Sequence, residues 1–69
     1  MLKTKIRELR ARAGMEQGEL ARLVQVRRET IGRLEKGQYN PSLKLAMDIA
    51  RVFGKTVEEI FTFTEGPEK

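Results

Sequence analysis

The residues able to do chemistry crowd into one short stretch, 24-VQVRRETIGRLEKG-37, which holds Arg27, Arg28, Glu29, Arg33, Glu35 and Lys36 around only a thin apolar set, Val26, Ile31 and Leu34. A segment that buries so little presents the rest of itself to a partner. The chemistry on offer is charge pairing and hydrogen bonding rather than bond making. With no cysteine and no histidine, the common nucleophile–base pairs and the usual zinc ligand sets are missing. The glycines are scattered, and Gly14 and Gly18 form no phosphate-binding loop. Glu58 and Glu59 are a carboxylate pair, but at a helix start their ordinary work is to complement the helix dipole. The expectation is a binding protein, not an enzyme, with no cofactor and no metal.

Charge distribution agrees. Residues 1–40 carry ten Lys/Arg against five Asp/Glu, and residues 41–69 carry four against five, which recovers the net charge of +4. A basic half suits a polyanion, nucleic acid ahead of an anionic membrane surface. On charge alone a merely solubilising surface is an equal reading. No apolar run approaches the roughly 18 residues of a membrane span, and no signal-peptide core is present, so a cytosolic (cytoplasmic) protein is the default expectation.

The elements that must position this stretch are helices. At 69 residues without disulfides, the core has to come from helix packing, with or without help from a partner chain. Leu2, Ile6, Leu9 and Ala13 recur at helical steps and predict a first helix closed by Gly14. Leu20, Leu23 and Val24 predict a second, starting near Glu16 or Gln17. A turn at Gln25 and Val26 leads into the charged stretch, a third helix ending at Gly37. Pro41 disfavours helix at Asn40, and Ser42 is a natural N-cap for a fourth helix carrying Leu45, Ala46, Ile49, Val52 and Phe53. Thr56 to Glu59 reads as a capping box opening a fifth helix, with Val57, Ile60 and Phe61 facing the core. No strand has support, and the predicted class is all-α. Residues 1–61 form the domain, and 62–69 a short tail whose end is expected to be mobile.

On a helical wheel, Ile31 and Leu34 set the buried direction of the third helix. Glu29, Gly32, Arg33 and Lys36 then face away, Arg28 and Thr30 lie on the flanks, and Glu35 falls about 70° from the buried centre. Glu29 and Arg33 at i, i+4 could be an exposed ion pair worth a few tenths of a kcal/mol. Arg27 and Arg28 do not fit that reading, because cations at a helix N-terminus oppose the dipole. An outward Gly32 costs about 1 kcal/mol against alanine, which close approach to a partner would explain. Both features suit phosphate or base edges.

Two short helices joined by a tight turn, the second with an outward basic face, have the helix-turn-helix layout. The run 17-QGELARLVQVRRETIGRLEKGQYNPSLKLAMDIARVFG-54 resembles the lambda-repressor/Cro-type helix-turn-helix family. The landmarks are Gln17, the Leu20-Ala21 pair, Thr30-Ile31, the Glu35-x-Gly37 ending, Pro41-Ser42-Leu43 and Val57 to Phe61. The resemblance as a whole runs from about Ile6 to Phe61. The resemblance implies a five-helix lambda-repressor-like domain whose third helix, about 28–36, enters the DNA major groove. It places Arg28, Glu29 and Arg33 at base-reading positions, with Gly32 beside them, and makes Gln17 a clamp on backbone phosphate. Arg27 and Thr30 would touch phosphate or a base edge, with Lys36, Gln38, Tyr39 and Asn40 along the backbone. Arg10 and Glu35 hold the places of a structural ion pair. Arginine can pair bidentately with guanine and glutamate can accept from cytosine N4, so the residue types suit the roles.

Three departures concern the turn. Gln25 stands where the family has glycine, at a cost of order 1 kcal/mol if the left-handed geometry is kept. Arg27 replaces the serine or threonine that caps the third helix. Glu16 replaces the one that opens the second. The expected function is a sequence-specific, double-stranded DNA-binding transcriptional regulator, a repressor, acting as a homodimer through Phe61 and Phe63. For Phe61, closure of the monomer core is at least an equal reading. The alternative is a protein-binding adaptor, an antitoxin or a coactivator, using the same domain.

Overall fold

The computed structural model describes residues 1–64, and Glu65–Lys69 lie outside it, including the end expected to be mobile. The chain runs β1 (Leu2–Thr4), α1 (Ile6–Ala13), α2 (Gln17–Leu23), α3 (Arg28–Glu35), α4 (Leu43–Phe53), α5 (Val57–Ile60) and β2 (Phe61–Phe63). All five expected helices form, but α1 begins at Ile6, leaving Leu2 outside it, and α5 ends at Ile60, with Phe61 in β2 rather than in the fifth helix. Ile6, Leu20, Ile31, Leu34, Ile49 and Ile60 are the largest fully buried side chains, so every helix contributes to one core. Ala13 and Leu23, both read as part of apolar stripes, are exposed.

The expectation of no strand is corrected. Leu2 opens an antiparallel ribbon instead of the first helix, paired Leu2 with Phe63, Lys3 with Thr62 and Thr4 with Phe61. Bonds from the Lys5 N–H to the Ile60 carbonyl (2.9 Å) and from the Thr64 N–H to the Met1 carbonyl (2.8 Å) extend the ladder at both ends. Leu2 satisfied the helical stripe by coincidence. Its burial is real, but a ribbon partner almost at the other end of the chain supplies it, and no local pattern reports that.

Four helices end in the same hydrogen-bond pattern. In α1 the N–H groups of Gly14 and Met15 bond to Ala11 and Arg10; in α3 those of Gly37 and Gln38 bond to Leu34 and Arg33. In α4, Gly54 and Lys55 bond to Arg51 and Ala50. This is the Schellman closure, which places one residue in the left-handed region, and the three glycines take φ of 64°, 73° and 64°. The end of α2 repeats it with Gln25 and Val26 bonded to Arg22 and Ala21, and Gln25 holds φ 61°. The left-handed turn is kept there with glutamine in place of glycine.

Gly37 has a second reason to be glycine. A Cβ built there would overlap the Leu2 carbonyl oxygen. In the ribbon Leu2 sits at a position whose carbonyl points away from β2, so one α-hydrogen of Gly37 meets that oxygen. The end of α3 is thereby seated on β1.

Starts are set as locally as ends. The Leu45 N–H donates to the Ser42 hydroxyl at 3.1 Å. At α5 the Thr56 hydroxyl accepts from the Glu59 N–H (3.2 Å) while the Glu59 carboxylate accepts from the Thr56 N–H (2.8 Å), the expected capping box. That backbone N–H of Thr56 is the main cause holding the Glu59 carboxyl below its ordinary value. A depressed carboxyl adds stability above the ordinary carboxylate range and loses it as pH falls through the folded-state value. α3 has no such device: Arg27, its N-cap residue, makes no side-chain capping bond.

Candidate nucleic-acid interface

The outward face of α3 and the start of α2 enclose an open groove of ≈ 370 Å³ lined by Gln17, Arg28, Glu29, Gly32, Arg33, Lys36 and Gln38. All three expected base-reading residues are in it, with three of the expected backbone contacts. Arg28, Arg33 and Lys36 set three cations against the one carboxylate of Glu29. Exposed guanidinium groups on a shallow convex helix suit a polyanion surface far better than a small ligand, which needs enclosure. Arg27, exposed, and Thr30, half-buried, flank the groove at the start of α3. Tyr39 and Asn40 are exposed on the loop after Gly37, beyond the groove lining.

Beneath the groove lies the expected ion pair. Arg10 Nε donates to Glu35 Oε2 at 2.6 Å and Nη2 to Oε1 at 3.1 Å, a bidentate pair. Their side chains are 14% and 6% exposed, and Arg10 also donates to the Met15 carbonyl at 2.9 Å. The hydrogen bond to Glu35 is the main cause of a raised Arg10 pKa. The pair ties α1 to the last turn of α3 and keeps Glu35 out of the groove.

Gln17 is placed differently from a free phosphate clamp. Its Nε2 donates to Glu35 Oε1 at 3.0 Å, and its Oε1 accepts from Arg28 Nη1 at 3.4 Å. Sequence reasoning gave it one role and missed both bonds. Gln17 and Glu35 are 18 residues apart on different helices, and only the α2–α3 packing brings them together. Gly32 is open as expected: a Cβ there would meet only the Gln17 amide, at 3.8 Å and 4.0 Å.

The helix-turn-helix family profile matches residues 6–60, most of the chain and all of this interface. The chain belongs to the helix-turn-helix family, of the Cro/C1 type. This helix-turn-helix chain is 61% identical over 64 residues to an uncharacterized HTH-type transcriptional regulator of Archaeoglobus fulgidus, covering 93% of this chain and 90% of the relative. Among solved structures it is similar to the restriction-modification controller protein C.AhdI of Aeromonas hydrophila, with TM-score 0.73, 34% identity and coverage of 80% and 83% of the two chains. It is also similar to the clp gene regulator ClgR of Corynebacterium glutamicum, with TM-score 0.70 and 29% identity over 75% of this chain, though it spans only 55% of that longer chain. The protein is thus a transcriptional regulator with a helix-turn-helix DNA-binding domain in the lambda-repressor-like fold. Another Archaeoglobus fulgidus relative, 59% identical over 64 residues, carries the same description, and no helix among the described residues is long and apolar enough to cross a membrane.

Proposed function

We propose that the protein is a sequence-specific repressor that lays α3 in the major groove of double-stranded DNA, where Arg28, Glu29 and Arg33 read base edges. The observation that carries this is the groove itself: those three side chains line one open surface, while Ile31 and Leu34 on the opposite side of α3 are fully buried. Base reading needs a rigid helix with one face in the core and the other free of it. Arg27, Thr30, Lys36, Gln38, Tyr39 and Asn40 then lie along the phosphate backbone, together with the second Nε2 hydrogen of Gln17. Repression follows from occupancy of promoter DNA.

The protein acts as a homodimer. A single α3 covers only a few base pairs, and two-fold dimers place two reading heads about 34 Å apart. Phe63, 63% exposed at the end of β2, supports this contact, while Phe61 beside it packs partly on the monomer core. Selection of bound duplexes from a random pool tests the whole reading. A two-fold site with half-sites one helical turn apart is expected. A pool with no enriched sequence would remove the base-reading assignment and favour a protein-binding adaptor. Sedimentation showing only monomer, with and without the selected duplex, would remove the dimer.

A further inference from the structure

We infer that the cleft between α1 and α3 is a further phosphate-binding site, where Arg7 joins Lys36 in holding one backbone phosphate at the edge of the reading surface. The inference rests on the reading proposed above, with α3 in the major groove, and adds a contact from a helix outside the α2–α3 pair. The cleft has a volume of ≈ 260 Å³ and is lined by Arg7, Arg10, Gln17, Gly32, Glu35 and Lys36. Gln17, Gly32 and Lys36 also line the groove on α3. The two openings therefore form one surface that runs from the reading face across to α1.

The charge of the cleft follows from which groups are already paired. Both oxygens of Glu35 are engaged, by Arg10 and by the Gln17 amide, and its side chain is only 6% exposed. Arg10 and Glu35 cancel. Arg7 and Lys36 are exposed and have no carboxylate within salt-bridge distance among the described residues, so the cleft is left with two uncompensated cations. Lys36 has an explanation within the fold: it follows the last turn of α3, where a cation complements the dipole. Arg7 has none. It is the second residue of α1, where a cation opposes the dipole, and the one acid of that turn, Glu8, is committed to Arg12 at 3.0 Å. An unpaired guanidinium held at a cost beside a second cation is compensated by an anion from outside the chain. A phosphodiester fits both groups, since guanidinium meets two of its oxygens and an ammonium beside it acts as a point charge. Because the cleft opens next to the reading face, the phosphate within reach is the one flanking the base pairs that α3 covers.

Affinity of the full chain, measured over a salt series on the selected duplex and on a random one, tests this. Arg7→Ala should weaken both about 5-fold and lower the salt slope by about 1, because a phosphate contact carries no sequence information. Lys36→Ala should do the same. Duplexes carrying a single uncharged methylphosphonate then locate the contact. At one position both variants should lose less than about 2-fold beyond the unmodified protein, and at the others they should keep their full loss. Arg7→Glu should bind more weakly still, yet melt no lower than the parent chain, because it removes the charge that opposes the α1 dipole. Lower melting of both Arg7 variants would make Arg7 a structural residue and overturn the inference. Unchanged affinity and slope in Arg7→Ala, or different methylphosphonate positions for Arg7 and Lys36, would overturn it too. Arg33→Ala separates the two readings. If it also leaves affinity unchanged, the placement of α3 fails and the inference falls with it; if it weakens binding while Arg7→Ala does not, only the inference fails.

Discussion

Gln25→Gly should make the protein more stable, although it deletes a whole side chain. Three of the four Schellman closures here use glycine, and the fourth holds an exposed glutamine at φ 61°. The left-handed region costs an L-residue roughly 1–2 kcal/mol. Glycine escapes that cost but brings extra freedom to the unfolded chain, which offsets about 0.4–1 kcal/mol. The net gain is then roughly 1 kcal/mol, or about 4–8 °C in Tm for a domain of this size. Chemical and thermal unfolding followed by circular dichroism would read it, with Gln25→Asn expected between the two because asparagine tolerates the left-handed region. Gln25→Val, β-branched, should lose stability relative to glutamine. If Gln25→Gly proved equal to or less stable than the parent chain, the strain argument would be wrong. The glutamine side chain would then have to contribute a contact worth as much as the backbone penalty.

Gly32→Ala should raise stability by about 1 kcal/mol, since its Cβ meets only ordinary contacts, yet weaken binding to the selected duplex. Unchanged affinity would dismiss close approach as the reason for glycine there. Gly37→Ala should cost at least about 2 kcal/mol, from φ 73° and overlap with the Leu2 carbonyl. Hydrogen exchange should then show lost protection in the ribbon at Lys3 and Thr62; full protection would refute the seating of α3 on β1. Glu35→Ala should destabilise by about 3 kcal/mol, because it strands a guanidinium whose side chain is 14% exposed; a loss under about 1 kcal/mol would mean that water replaces the carboxylate. Arg33→Ala should cost about 1–3 kcal/mol on the selected duplex and relax preference at one base pair, whereas equal losses on random DNA would make Arg33 a phosphate contact.

Most of the helical layout was legible because its signals are local. Ser42 and the Thr56–Glu59 box fix helix starts through bonds spanning three residues, and Gly14, Gly37 and Gly54 fix ends through a conformation that the residue type itself favours. The outward face of α3 was legible for the same reason. Two buried side chains at helical spacing determine where the other residues point, and the groove collects the three expected readers. Even the placing of Glu35 at the core's edge followed from angle alone, and Arg10 meets it there.

The tertiary structure decided what depends on distant neighbours. Leu2 fits a helical stripe and a strand equally well, and the choice was made by Phe61–Phe63, which lie far along the chain. Gln17 carries no mark of its double bond to Glu35 and Arg28, because a glutamine at a helix start is compatible with solvent, phosphate or a neighbour. Sequence alone determined most of the helical layout, the glycine-closed helix ends and the face of α3, each set by bonds reaching at most five residues or by side-chain periodicity. The ribbon, the seat of Gly37 on Leu2 and the inward turn of the Gln17 amide required the fold, since each joins residues that only packing brings within hydrogen-bond distance or van der Waals contact.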